Sequence, residues 1–204
     1  PYTVGYGMTE CAPIITYARF DDKRLYSCGK AALNMQIRID SEDPQRIEGE
    51  IQVSGPNVAL GYFKNPQATA DLFTEDGWLR TGDMGIIDAE GYLYIRGRSK
   101  CMILGPNGQN IYPEEIEVVL NNMPFVAESL IVSRKEKLVA LIVPDQNALA
   151  DAGTDADNLT KIMDANLAAL NKIVPAYSVV SSYEIQLEPF AKTPKGSIKR
   201  FMYV

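Results

Sequence analysis

Between residues 36 and 104 apolar and polar positions follow one another in short runs. "NMQIRID" and "GEIQVSG" place an apolar side chain at every second position, the period of a strand with one face buried. "MGIID" and "GYLYIRGR" are two more apolar runs on either side of the turn-former "AEG", and they predict a hairpin. Between these pairs "NPQATADLF" predicts a short helix after Pro66, followed by a turn at "TEDGW".

Past Cys101 the period lengthens. "GPNGQN" predicts a loop. "PEEIEVVLNNM" predicts a helix with Pro113 near its first position, Glu114 and Glu115 in its first turn, and Ile116, Val119, Leu120 and Met123 on one face. "ESLIVSRKEKLVALIVP" predicts a hairpin turning at "RKEK". A second helix over 155–173 carries Leu159, Ile162, Met163, Leu167 and Leu170 at helical spacing and stops before Pro175. "YSVVSSYEIQL" predicts a closing strand. The expected fold class is α+β: a β-rich portion, 1–98, then a small β-α-β-β-α-β-like domain, 99–204, with the boundary near "RGRSK".

Composition narrows the chemistry. Histidine is absent, which removes the usual general base and the commonest metal ligand. Reactions must then run on carboxylates, lysines and a hard cation. The net charge of -6, with 26 acids against 20 bases, argues against nucleic acid as a partner. The three cysteines lack CxxC spacing and are expected to be reduced. No apolar run approaches the roughly 20 residues that span a bilayer, so no transmembrane segment and a cytoplasmic location are expected. A start at Pro1 in turn-rich sequence suggests a piece of something longer.

Against this acidic background "FAKTPKGSIKR" concentrates Lys192, Lys195, Lys199 and Arg200 with no acid among them. Such a loop calls for an anionic client, or else it is a solubilising tail. Three other stretches hold candidate chemistry. In "YGMTE" an aromatic ring beside exposed backbone can stack on a base, and Thr9 and Glu10 can serve a phosphate and its Mg²⁺; a turn after a strand accounts for the same five residues. In "GWLRTGDMG", Asp83 just before the hairpin can accept two ribose hydroxyls or can organise an Asx turn. In "RGRSKCMILGPNGQNIYPEEIE", Arg98 offers fixed donors for ribose or phosphate oxygens, and Gly108 permits close backbone approach; an interdomain linker and hairpin turn is the alternative.

Taken in order, "YGMTE", "GEIQVSGPNVALGYFKNP", "GWLRTGDMG", "GYLYIRGRSKCMILGPNGQNIYPEEIE" and "TPKGSIKR" resemble the adenylate-forming superfamily of acyl-CoA synthetases, adenylation domains and luciferases. The resemblance covers nearly the whole chain. It implies the C-terminal part of such an enzyme: the last β-rich subdomain of the large AMP-binding domain, then the small mobile lid domain. The implied activity is an ATP-dependent carboxylic acid:CoA ligase that forms an acyl-adenylate and then a thioester, with ATP/AMP, Mg²⁺ and coenzyme A as cofactors. The ending is similar to that of long-chain fatty acid:CoA ligases. Loading of a carrier protein and a non-catalytic nucleotide-binding role are the alternatives.

By that resemblance Tyr6, Gly7 and Met8 line the adenine site, Thr9 meets the phosphate and Glu10 the Mg²⁺. Asp83 and Arg98 hold the ribose hydroxyls, with Ile95 packing nearby. Lys100 is the hinge of the small domain, and Gly108 approaches the pantetheine of CoA. The sequence departs from the family at two points. Where relatives carry a catalytic lysine after glycine, this chain has Ser197, flanked by Lys195 and Lys199 two residues to either side; in an extended loop the three would share a face, about 7 Å per step, so either Lys195 or Lys199 takes over the catalytic role after a small loop shift, or the first half-reaction is weakened. The Ser/Thr/Gly-rich phosphate loop is missing, so this polypeptide alone is expected not to turn over ATP without the N-terminal part of the enzyme. "GYFKNPQATADLF" is expected to be packing and surface.

Overall fold

The computed structural model describes residues 2–22, 24–106, 108–153, 155–194 and 196–204. The chain divides into two compact units, Pro1–Lys100 and Cys101–Val204, and the fold is α+β. Among the described residues no helix is long and apolar enough to cross a membrane.

In the first unit β1 (Val4–Gly7) pairs antiparallel with β2 (Ile14–Ala18), which pairs with β3 (Lys30–Ala31). The apolar pattern predicts none of these three, because they are short and alternate poorly. A four-stranded antiparallel meander follows, with β4 (Gln36–Asp40), β5 (Gly49–Ser54), β6 (Leu79–Ile87) and β7 (Leu93–Arg98) in sequence order. The predicted hairpin is β6–β7. Helix α1 (Pro66–Leu72) starts where Asn65 accepts the Ala68 N–H at 3.1 Å and Pro66 takes a first-turn position that needs no donor. Cys11, Ile15, Ile39, Ile51, Val53, Leu79 and Leu93 form the core. Strand alternation fails at Gln52, which is buried. It accepts from Arg38 Nε at 2.7 Å and donates to Asp40 at 3.2 Å, so the polar group is satisfied where it lies.

The second unit begins with a small ladder, β8 (Ile103–Leu104) with β9 (Asn110–Ile111), around the predicted loop. Helix α2 (Pro113–Leu120) stops three residues short of Met123. Strands β10 (Val126–Arg134) and β11 (Lys137–Pro144) form the predicted hairpin, and helices α3 (Gln146–Asp151) and α4 (Ala156–Ile173) carry the chain to β12 (Val180–Ile185), which is parallel to β11. Six residues are too short for a periodic signal, so α3 is marked only by its cap, Asp145, which accepts from the Asn147 and Ala148 amides. The sheet, in order β10-β11-β12, is covered on both faces. Ile116, Leu120, Met163 and Leu170 pack against Ile131, Ala140 and Ile142 on one side. On the other, Phe190, Ile198 and Tyr203 of the tail pack against Leu130, Val132, Val139, Leu141 and Val143.

The β10–β11 turn places Lys135 at φ 49° and Glu136 at φ 63°, a left-handed pair that suits asparagine and glycine better than long side chains. Lys135→Asn with Glu136→Gly is expected to stabilise the second unit by about 0.5–1 kcal/mol, read as a rise in its thermal midpoint of several degrees.

Candidate functional site

Three of the sequence-identified residues converge from three strands. Tyr6 on β1 donates its hydroxyl to Asp83 Oδ2 at 2.6 Å, and Arg98 on β7 forms an ion pair with it, Nε to Oδ1 at 2.8 Å. Asp83 is not at a turn before the hairpin, as the glycines around it suggest; it lies inside β6 opposite Arg98. The reason is a bulge. Gln52 faces Arg80 while Glu50 faces Met84, so Thr81, Gly82 and Asp83 stand opposite Ile51 alone. Bulges of this kind re-aim a side chain without ending the strand. Gly82, at φ 72°, makes the bend, and its N–H reaches Glu50 Oε1 at 3.2 Å. Thr81 Oγ donates to the Ile51 carbonyl at 2.7 Å and accepts the Asp83 N–H at 3.1 Å, so one side chain satisfies a backbone group on each side of the bulge.

Electrostatics fix the proton. Burial, then the Asp83 charge, push the Tyr6 hydroxyl far above its ordinary range, so it stays a donor and Asp83 the acceptor. An ionised carboxylate offers about four acceptor positions, and hydroxyl groups are among the donors it takes. The Arg98 side chain is 58% exposed and the Asp83 side chain only 8%, which makes the guanidinium the movable partner. Ile95 and Met8 pack with Tyr6 against the first unit's core.

Gly7 has a structural reason of its own: a Cβ there would lie 1.9 Å from the Pro13 carbonyl oxygen. Thr9 and Glu10 follow on a 3-10 turn, Thr9–Cys11. Glu10 Oε1 accepts from the Tyr62 hydroxyl at 2.7 Å. The Tyr62 stretch, expected to be packing and surface, thus also holds Glu10; neither this contact nor those of Thr81 and Glu50 can be read from the sequence, because no spacing links such distant positions. Burial, then the nearby Glu10 charge, raise the Cys11 thiol to about 11, and burial raises Cys28 and Cys101 as well, so none of the three free cysteines is poised as a thiolate. Among the described residues no group of three or more acids and cysteines forms a metal cluster.

Lys100 is exposed in the 3-10 turn Ser99–Cys101. Gly108 takes φ 81° in the β8–β9 loop, where a Cβ would meet nothing within 4 Å. The tail is a tight hairpin instead of an extended loop. Lys192 bridges to Ile198, the Thr193 N–H donates to the Ser197 carbonyl at 2.8 Å, and Gly196 turns at φ 85°. The expectation that positions 195, 197 and 199 share a face involves Lys195, which lies outside the described residues. Two of the four tail cations are neutralised within the unit: Lys192 pairs with Glu128, and Arg200 pairs with Glu117 and, at 3.6 Å, Glu114. Lys199 makes no ion pair among the described residues.

Comparison with known proteins accounts for both units. Residues 1–63 match the AMP-binding enzyme family and residues 101–203 the AMP-binding enzyme C-terminal domain. The chain belongs to the family of AMP-binding enzymes. Asp83 and Arg98 lie between the two matched stretches of the family. Among its curated members, the indoleacetate–CoA ligase of Aromatoleum aromaticum is 42% identical over 159 residues, covering 72% of this chain and 31% of that protein. The 2-succinylbenzoate–CoA ligase of Bacillus licheniformis is 37% identical over 185 residues, 88% of this chain and 38% of that one. In structure, the O-succinylbenzoate coenzyme A synthetase of Bacillus subtilis in complex with AMP superposes with a TM-score of 0.79 at 30% identity, over 100% of this chain and 40% of the other. This chain spans about a third of the length of the curated relatives it matches.

Proposed function

We propose that the chain serves as the C-terminal part of an ATP-dependent carboxylic acid:CoA ligase, and that the Tyr6–Asp83–Arg98 cluster receives the ribose of the nucleotide. The observation that carries this reading is the convergence of three strands on one carboxylate, held by a hydroxyl donor and an ion pair and aimed by a bulge. A carboxylate accepts from ribose hydroxyls, and a movable guanidinium beside it can turn to the same oxygens. The adjoining 6–10 segment supplies a ring, Tyr6, for the base and Thr9 for a phosphate.

Mg²⁺ fits Glu10. That ion favours one or two carboxylates completed by phosphate oxygens and water, and Tyr62 holds this carboxylate in place. The cation would neutralise phosphate charge as pyrophosphate departs. In the first half-reaction the acid's carboxylate attacks the α-phosphorus of ATP; in the second, the thiol of coenzyme A displaces AMP. Neither step requires a protein base, which agrees with a chain without histidine. Lys195 and Lys199 supply tail charge to the first step, Lys100 is the pivot of the small domain, and the open backbone at Gly108 serves the thiol's pantetheine arm in the second.

The test is acid-dependent ATP–pyrophosphate exchange by this chain together with the upstream residues its relatives possess. Exchange supports the ligase. Nucleotide binding without exchange would instead favour a second reading, a nucleotide-binding relative without ligase activity, which has Ser197 in its favour.

A further inference from the structure

The tail covers one face of the β10-β11-β12 sheet, and the contacts at its base are more directional than covering a sheet requires. The guanidinium of Arg200 meets Glu117 with two donors, Nη1 to Oε1 at 2.9 Å and Nη2 to Oε2. Glu117, buried on α2, also accepts the N–H of Ile131 on edge strand β10 at 2.7 Å. One carboxylate thus ties the tail to a helix and to a sheet. Opposite it, the Phe190 and Tyr203 rings meet edge to face with centroids 5.1 Å apart. The Ala191 N–H reaches the Tyr203 hydroxyl at 2.8 Å, and the Lys199 N–H reaches the Ala191 carbonyl at 2.8 Å.

We propose that Glu117 and Arg200 are positioning residues: their forked ion pair fixes the base of the tail hairpin, and so the placement of Lys199, for pyrophosphate-releasing chemistry and not for thioester formation. The inference rests on the ligase reading. Stability alone does not call for the two charges, because uncharged side chains of similar volume commonly serve a buried site as well as a desolvated ion pair, and a glutamine at 117 would still accept the Ile131 N–H. What they lack is direction. A planar guanidinium gripped at two points sets the orientation of its own backbone, and that backbone carries Lys199 as its immediate neighbour. Misplacement of a charge by about 1 Å can cost a hundredfold in rate. Lys199 is therefore the residue most exposed to any loosening at position 200.

The experiment compares the unaltered protein, including its upstream residues, with Glu117→Gln/Arg200→Met, whose amide oxygen still accepts the Ile131 N–H, and with Arg200→Lys, using decanoate and indoleacetate as probe acids. The double variant is expected to keep its thermal midpoint within a few degrees. Its pyrophosphate exchange falls about tenfold or more through kcat, its conversion of supplied acyl-adenylate and CoA to thioester changes less than twofold, and the Lys199 amide exchanges with solvent faster. Arg200→Lys, which retains the charge and loses the fork, falls between. Unaltered exchange in the double variant, or an equal fall in both half-reactions, overturns the proposal. If the unaltered protein shows no exchange with either acid while a broader acid panel also fails, the ligase reading fails first. Amide exchange then decides the clamp: unchanged protection at Lys199 overturns it.

Discussion

Asp83→Ala lowers acid-dependent ATP–pyrophosphate exchange at least about a hundredfold. A hydrogen bond to a charged group contributes about 1.5–3 kcal/mol, and the carboxylate is assigned two ribose hydroxyls, so the loss exceeds two powers of ten at about 1.4 kcal/mol each. The substitution also strips Tyr6 and Arg98 of their shared acceptor. Asp83→Asn separates the effects, since it keeps the volume and one acceptor oxygen while removing the charge. Its circular dichroism and thermal midpoint should stay near those of the unaltered protein while nucleotide affinity falls. Equal exchange in Asp83→Ala and the unaltered protein would remove the cluster from the chemistry.

The second large effect belongs to the tail. The Lys195→Ala, Lys199→Ala double variant loses at least about tenfold in pyrophosphate exchange, because a preorganised donor at developing phosphate charge contributes on the order of a hundredfold when removed singly from a dry site, and an exposed tail gives part of that. Thioester formation from supplied acyl-adenylate should change little. Lys192 and Arg200 are poor substitutes, since Glu128 and Glu117 already hold them. Undiminished exchange would exclude both lysines and leave the chain's charge requirement to other groups.

Much of this is legible in the sequence. The alternation in 36–54, the hairpin at "AEG" and the helix at 155–173 follow from periodicity, since each element buries one face and is long enough to repeat. Residues 4–31 are not, because their strands are too short to establish a period. Gln52 and Asn166 are buried polar side chains on otherwise apolar faces, the latter donating to the Pro124 carbonyl at 2.9 Å, and pattern alone assigns such positions to solvent. At the candidate site Tyr6, Asp83 and Arg98 were identifiable as residue types in ordered motifs. Their mutual contacts were not, because a bulge created by three residues opposite one leaves no mark in hydrophobic spacing. The tail shows the reverse failure. Its charges look uncommitted in sequence because Glu114, Glu117 and Glu128 lie more than 60 residues upstream.

The most direct test of the account is the affinity of the protein, with its upstream residues, for AMP against 2′,3′-dideoxy-AMP, measured calorimetrically in the unaltered form and in Asp83→Ala. The unaltered protein is expected to prefer AMP by about tenfold or more, the worth of one or two hydroxyl contacts to a carboxylate, and Asp83→Ala to bind the two nucleotides alike. A preference for AMP that survives intact in Asp83→Ala would contradict it.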